Sequence, residues 1–390
     1  MALLGDAAHP FLPHLGQGGA VAMEDAAAIG VVLEYGVTPD QVQERLKYQD
    51  IRKPRADKLQ EHTRLAGEDL IPGQPPKLDQ RRATTFNFGH DEYDNSTQKL
   101  REWKWSKQPA SYWGMPVAFG PIPGPRQSFK GKPRDLSESI VVTSSITFKT
   151  SRTVLQNLFP PGSKQFSFIS PGTVAFASIS QVTLDGLEWL GGKGYDFIRI
   201  EIHGVTYIGK DDKMIQGTYV PVLWENLTDS ILSGREEVGM PNLYSDIIKT
   251  RHKTTKIVKT SWRGAQWGCF EWIDLEEVDI DTPSKPKLGF EPGEGILMQR
   301  YIPSVERDKR GIAETEYTVF EQFPISSNSK VTRILKAKKA IISIEPGNWT
   351  TLATQHHIMA RLTEIPIFEV VDARIVEAVG TSDAGEIIRV

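Results

Sequence analysis

The sequence lacks most of the features that would fix a compartment or a chemistry at sight. It has one cysteine, Cys269, in 390 residues. That excludes an intramolecular disulfide, gives no sign of an oxidising compartment, and leaves no cysteine-rich zinc site. No run of about 18 uncharged apolar residues occurs, as a membrane-spanning helix would need. The first residues do not read as a signal peptide, because a basic leader is missing and Asp6 and His9 interrupt the apolar stretch. Neither sign of charge dominates: 46 Lys and Arg stand against 49 Asp and Glu, a net charge of −3. This argues against a basic nucleic-acid-binding domain and against attraction to anionic membrane. The motifs GxGxxG and GxSxG are both absent. A cytoplasmic chain with no nucleic-acid partner, no membrane and no metal is the expectation.

What is present is globular: 39% hydrophobic and 24% charged residues. At roughly 150 residues per domain the length suits two domains. Residues 1–107 alternate loop and helix. Met1–Leu4 reads as the tail of a strand, a Gly/Pro-rich turn follows, and Ala20–Tyr35 reads as a helix. Thr38-Pro39-Asp40 is a helix start carried on by Val42 and Leu46; Pro54 kinks or ends that helix, and Arg55–Leu65 forms a further one. Gly and Pro crowd 114–136, the best linker candidate. Beyond it, β-branched and aromatic segments bounded by Gly, Pro or Asp recur at 140–149, 165–169, 174–180, 197–207, 218–223, 255–262, 295–302, 340–344 and 365–379. Helices there look few: 152–158 and a stretch near 227–233. So many strands predict an antiparallel sheet closed into a barrel or cone.

The block GDAAHPFLPHLGQGGAVAMEDAA (5–27) carries Gly5-Asp6, Ala8-His9-Pro10, Gly16-Gln17-Gly18 and Glu24-Asp25, followed by Tyr48, Arg52 and Arg55. It resembles the end of the FAD domain in flavin-dependent aromatic (salicylate-hydroxylase-like) monooxygenases. A carboxylate at a strand end can accept from ribitol or ribose hydroxyls, and a glycine-rich turn before a helix lets N–H groups approach an electron-rich cofactor edge. The resemblance implies FAD as cofactor, with Asp6 at the ribityl-diphosphate region and Gly16, Gln17 and Gly18 beside the isoalloxazine ring. The dinucleotide fingerprint is not in the sequence. A truncated remnant over 1–110 is therefore expected, with an oligomer or a partner chain as the means of completing the FAD site.

From residue 114 the chain resembles the acetoacetate decarboxylase superfamily. The residues that carry this are GMPVAFGPIPGP (114–125), Gly217-Thr218-Tyr219 with Pro221, ILSGREEVGMPNL (231–243), and Arg300-Tyr301-Ile302-Pro303. The resemblance implies a cone-like β-barrel around a small apolar pocket. It also implies a lysine amine that forms an imine with a β-keto acid, and such an amine must be neutral to react. After Pro241 this sequence has Asn242, and an amide forms no imine. The family's glutamate falls at or near Phe197 and its arginine near Val141, with Asp196 or Glu201 as substitutes for the carboxylate. Lys193, in a glycine-rich loop, is read as solvated. The resemblance makes Arg235, Glu236 and Asn242 the substrate pocket, the first two as an ion pair, and leaves the catalytic residues unknown.

Other features read as structural. The run Lys249, Arg251, Lys253, Lys256, Lys259 and Arg263 is read as one solvated strand face. Trp262, Trp267 and Phe270 are read as core, His203 as a strand-end histidine, and His356-His357 as a pair without a third metal ligand. The fold expected is α+β: a short α-rich remnant of an FAD domain (1–110), then an antiparallel barrel or cone (114–390). The function expected is a flavin-monooxygenase/decarboxylase-like fusion of secondary, aromatic or polyketide, metabolism. It would bind a small keto or phenolic compound without Schiff-base decarboxylation. The alternative is an FAD-dependent hydroxylase of an aromatic substrate, completed by another chain or by a longer parent protein.

Overall fold

The computed structural model describes residues 3–33, 37–38, 48–73, 75–106, 112–128, 132–209, 212–280, 293, 295–322, 329–381 and 387–390. The chain divides into two compact units, Met1–Ala110 and Ser111–Val390. No helix of the described residues is long and apolar enough to cross a membrane.

The N-terminal unit is helical: α1 (Gly18–Val32), α2 (Tyr48–Glu68), α3 (Gln80–Phe88) and α4 (Glu92–Ser106). The expected strand tail does not form at Leu3–Leu4; Gly5–Ala7 is instead a single 3₁₀ turn. The helix expected from Thr38-Pro39-Asp40 through Leu46 lies outside the described residues. Pro54 neither ends nor divides α2, which runs through it. One backbone bond is lost there, but Arg52 and Arg55 on either side anchor the helix to the buried Asp25 and the half-buried Glu24.

The C-terminal unit carries one large sheet. Its strands are β1 (Ile140–Ser151), β2 (Phe166–Phe168), β3 (Val174–Leu187), β4 (Lys193–Ile208), β5 (Met214–Tyr219), β6 (Leu223–Glu225), β7 (Asn242–Tyr244) and β8 (Asp246–His252). There follow β9 (Thr255–Trp262), β10 (Ala265–Val278), β11 (Gly295–Pro303), β12 (Ala313–Gln322), β13 (Lys330–Ile344), β14 (Glu369–Val379) and β15 (Ile387–Arg389). Short helices α5 (Arg152–Gln156), α6 (Thr228–Ser233) and α7 (His356–Thr363) join them. The strand order is β15-β12-β11-β5-β4-β3-β1-β14-β13-β10-β9-β8, with β2 and β6 also on β4 and β7 parallel to β6.

That order corrects the expected closed barrel. Among the described residues its two ends, β15 and β8, are not paired, so the sheet stays open. Sheets of this size curl or fold over to bury a face. Here Trp267 of β10 packs on Trp224 of β6 at 4.7 Å, and Trp272 Nε1 donates to Ser145 O of β1 at 3.0 Å. Side-chain contact across the interior thus takes the place of a closing ladder.

Successive β4 side chains alternate between faces. Ile198, Ile200 and Ile202 enter the main core with Trp224, Trp267, Phe270 and Trp272. Phe197 joins a smaller core of Val220, Leu223, Ile296, Met298 and Val319 on the other face. This alternation decides which polar residues meet.

Candidate functional site

The sequence GREEV (234–238) forms a single π-helical turn directly after α6. Gly239 ends it at φ 79°, where a Cβ would stand 2.9 Å from that of Arg300. The chain then enters β7 at Asn242, in register with Leu223 of β6. Glu225 pairs with Phe197, so Glu225 and Asn242 both lie on the face of β4 that holds the smaller core. Gly234 is required here: a Cβ on it would sit 2.3 Å from Asn242 Nδ2.

Asn242 is 1% exposed and Glu225 3%. By hydrogen-bond geometry both polar atoms of the Asn242 side chain lack a partner, as does Glu225 Oε2. Burial pushes the Glu225 carboxyl up to about 7, with Ser230, Asn242 and Arg126 pulling it partly back. Burial, then the nearby Glu225, raises the Tyr195 phenol above its ordinary value. Unpartnered buried polar atoms are costly and rare. An amide and a neutral carboxyl can between them donate to and accept from a carbonyl, carboxyl or phenol.

Arg235 and Glu236 do not form the expected ion pair. Arg235 Nη1 donates to the Asn242 carbonyl at 3.0 Å. Glu236 has an exposed side chain, and its backbone carbonyl accepts from Arg300 at 2.7 Å. Adjacent residues on a helical turn point in different directions. The ion pair that does form is Arg126 with Glu237 at 2.9 Å, and Arg126 also donates to Ser233.

Of the two candidate substitute carboxylates, Glu201 shares the Asn242 face and Asp196 does not. Burial opposes ionisation of Glu201, but Arg199, His203 and the Ser180 hydroxyl hold its carboxyl below the usual range. His203 sits between Ser178 Oγ (2.7 Å) and Thr218 Oγ1 (3.2 Å). Burial brings its imidazole down to about 4, with Glu201 opposing and Arg199 adding to the fall. It borders a 590 Å³ cavity walled by Phe168, Val174 and Phe176; a 640 Å³ cleft lies by Tyr207, Gln299, Tyr317 and Arg389. Asn242 borders neither. Lys193 is exposed, as expected. His356 Nδ1 lies 2.8 Å from the Pro346 carbonyl, and His357 stacks on Trp349.

In the N-terminal unit much of the motif proves to be scaffold. Asp25, fully buried, accepts from Gly5 N–H (2.9 Å) and Arg52 Nε (2.9 Å) and lies 2.7 Å from His9 Nε2. Burial opposes its charge, yet those partners hold its carboxyl below the usual range. Arg52 also binds Glu24 (2.8 Å) and Glu92, and Arg55 clamps Glu24 through two bonds of 2.7 and 2.8 Å. Glu24, His90 and Glu92 lie within 4.8 Å of one another, but the arginines already neutralise both carboxylates.

Of the residues expected at the cofactor, Asp6 and Gly16 are exposed, Gly18 is half-buried and Gln17 is buried. Asp6 is exposed, and its Oδ1 is 3.7 Å from where a Gly18 Cβ would stand. Gly16 is left-handed at φ 62°, with open space beside it. Gln17 folds back to the Leu15 carbonyl, so α1 starts without a side-chain cap. An uncapped glycine-rich helix start beside a carboxylate fits one edge of a flavin.

Comparison with known proteins agrees with both halves. The family profile described as acetoacetate decarboxylase (ADC) matches residues 114–389. The N-terminal part is similar to the FAD-dependent monooxygenase cfoG of Aspergillus candidus, 52% identical over 61 residues, 15% of this chain and 14% of that protein. It is also similar to hispidin-3-hydroxylase of Neonothopanus nambi, 52% identical over 56 residues, 14% of this chain and 13% of that protein. The chain spans 14% and 13% of the length of these two relatives. A solved acetoacetate decarboxylase aligns over 74% of this chain and 96% of its own, with 12% identity and a TM-score of 0.49.

Proposed function

Because residues 114–389 place the chain in the acetoacetate decarboxylase family, we propose that this unit binds a small keto or phenolic compound at Glu225 and Asn242 without Schiff-base decarboxylation. One observation carries the reading. At the position where the resemblance calls for lysine stands a buried amide, both of whose polar atoms lack partners, beside a carboxyl that burial keeps largely protonated below neutral pH. The ligand's oxygen accepts from the Asn242 Nδ2 amide or the Glu225 hydroxyl, and its own O–H, where it has one, donates to Asn242 Oδ1. No imine forms there, so no electron sink develops for loss of CO₂. The N-terminal resemblance supports reading the chain as a secondary-metabolic fusion, with aromatic or polyketide compounds as what it would handle.

The test is thermal stabilisation by a panel of short keto acids and phenols. Wild type is expected to be stabilised, and Asn242→Leu to lose the shift, because it removes both polar atoms at similar volume. An equal shift in both proteins sinks this reading.

A second reading is favoured by the open helix start at Gly16–Gly18 beside Asp6: FAD binds there and the protein hydroxylates an aromatic substrate, with the rest of the FAD site supplied by another chain or a longer parent. FAD when bound would supply oxygen activation; Asp6 would hold its hydroxyls and Gly16–Gly18 its ring edge. Visible absorbance of the purified chain decides this. Stoichiometric flavin bands support the second reading, and a colourless protein that leaves added FAD unperturbed removes it.

A further inference from the structure

The basic run on the β8–β9 hairpin was expected to be one solvated face, but part of it turns inward. Lys249 pairs with Asp196 of β4, and the buried Lys256 donates to Ser144 of β1 and Gln181 of β3. Those side chains are taken up by the fold. The 590 Å³ cavity beside His203 is a different kind of place.

Its origin is local. β2 ends at Phe168, and the chain turns through 169–173 before β3 begins at Val174. Next to this turn β4 is bulged: its pairing with β5 shifts register between Ile202 and Val205, and Gly204 is left-handed at φ 66°. A bulge bends the strand and re-aims its side chains. The Ile169 N–H, donating to the Gly204 carbonyl at 3.0 Å, ties turn to bulge. Arg152, the first residue of α5, holds the rest of the turn. Its guanidinium donates to the Ser170 and Gly172 carbonyls at 2.7 and 3.1 Å and lies 5.5 Å from the Phe168 ring. Its backbone N–H donates to the Thr173 carbonyl at 2.9 Å. Three carbonyls of the turn are thus satisfied by one residue, and the cavity is left with mostly apolar walls.

Those walls include Phe168, Ile169, Pro171, Val174 and Phe176, and no Lys, Arg, Asp or Glu among the described residues. His203 is the one titratable neighbour there, and hydroxyls engage both its ring nitrogens, Ser178 at 2.7 Å and Thr218 at 3.2 Å. Burial brings its imidazole down to about 4, so it is neutral near pH 7. Ile169 and Val174, on either side of the turn, are 43% and 42% exposed, so the cavity meets solvent through apolar side chains. Its volume falls within the roughly 300–1,000 Å³ of small-molecule pockets. An ionic ligand would give up hydration here and meet no opposite charge. A ring system gains from buried area and from edge and face contacts with two phenylalanines.

We propose that this cavity binds an uncharged aromatic molecule of two or three rings, at a site separate from Glu225 and Asn242. The rings lie among Phe168, Val174 and Phe176, and the turn pinned by Arg152 keeps the cavity in shape before the ligand arrives. Asn242 does not border it, so occupancy of one site leaves the other open.

The test is a fluorescence titration of the full-length chain at about pH 7 with N-phenyl-1-naphthylamine, a neutral probe that brightens in apolar surroundings. Saturable binding of one probe per chain is expected. Ile169→Glu and Val174→Glu each place a carboxylate on a half-exposed wall residue, and should weaken binding at least about tenfold while circular dichroism stays unchanged. The sulfonated analogue 1-anilinonaphthalene-8-sulfonate should displace the probe only at concentrations at least about tenfold higher than a neutral competitor such as 1-naphthol. Asn242→Leu should leave the titration as in wild type, whatever becomes of keto-compound binding. The proposal is overturned by absence of saturable binding, by folded glutamate variants that bind as wild type does, by equal displacement by the sulfonate, or by loss of the probe in Asn242→Leu. The wild-type titration and the displacement series decide it even if neither glutamate variant folds.

Discussion

Arg52→Ala is expected to unfold the helical unit, at a cost of about 3–5 kcal/mol. Arg52 is 2% exposed and bonds to three carboxylates, Asp25, Glu24 and Glu92, which come from two other helices. Removing the guanidinium leaves Glu92 with only His90 and two neutral donors, Asn95 and Ser96. Asp25, at 0% exposure, keeps His9 and one backbone N–H. Arg55 still holds Glu24, so the loss concentrates on the contacts of α1 and α2 with α4. Arg52→Lys keeps the charge but gathers its donors on one nitrogen, where Arg52 reaches the three carboxylates from three, and should fall between. Hydrogen exchange read over 18–32, 48–68 and 92–106 measures the effect. Protection should fall by roughly two to four orders of magnitude in the alanine variant. A change of less than tenfold would show that the network is dispensable.

Glu225→Gln is expected to reverse a pH dependence. Burial raises the Glu225 carboxyl to about 7 from its ordinary value of 4.5. Below about 4.5 both the folded and the unfolded chain hold the proton. Between about 4.5 and 7 the unfolded chain releases it while the folded chain keeps it, so wild-type stability falls as pH rises and then levels off. The difference amounts to on the order of 3 kcal/mol. A neutral amide has no such loss, so the variant should gain on wild type by a few kcal/mol between about pH 4 and 8. His203 works the other way: its imidazole is lowered to about 4 from 6.5, so its contribution is complete above about 6.5 and is lost as pH falls toward 4. Subtracting the variant's urea-unfolding curve from that of wild type at each pH cancels the histidine. A flat difference across that range would mean that Glu225 is solvated or fully paired.

Local chemistry was legible in the sequence and non-local pairing was not. β9 is observed at the predicted bounds, Thr255–Trp262, because β-branched and aromatic residues bounded by charged turns fix a strand locally. A closed barrel was not legible, since closure depends on whether β8 meets β15, strands more than 130 positions apart. The spacing of Lys249, Arg251 and Lys256 announced a shared face but could not say which side of the sheet it faced. Glu225 was missed altogether. Its only signal was one acid in the apolar stretch VPVLWENL (220–227), on a strand of three residues. The motif's Glu24, Asp25, Arg52 and Arg55 were visible as a family mark, but their work as a buried ion network depends on Glu92, which lay in a stretch with no periodicity to single it out.

Release of CO₂ tests the central claim most directly. The full-length chain is incubated with acetoacetate and the evolved gas is compared with that from heat-denatured protein. With Asn242 in place of the imine-forming amine, the two should release CO₂ at the same spontaneous rate, while the folded protein is still stabilised by keto compounds. Catalytic release that is lost on denaturation would contradict the account, because it would mean that an amine serves this family's reaction although Asn242, not lysine, directly follows Pro241.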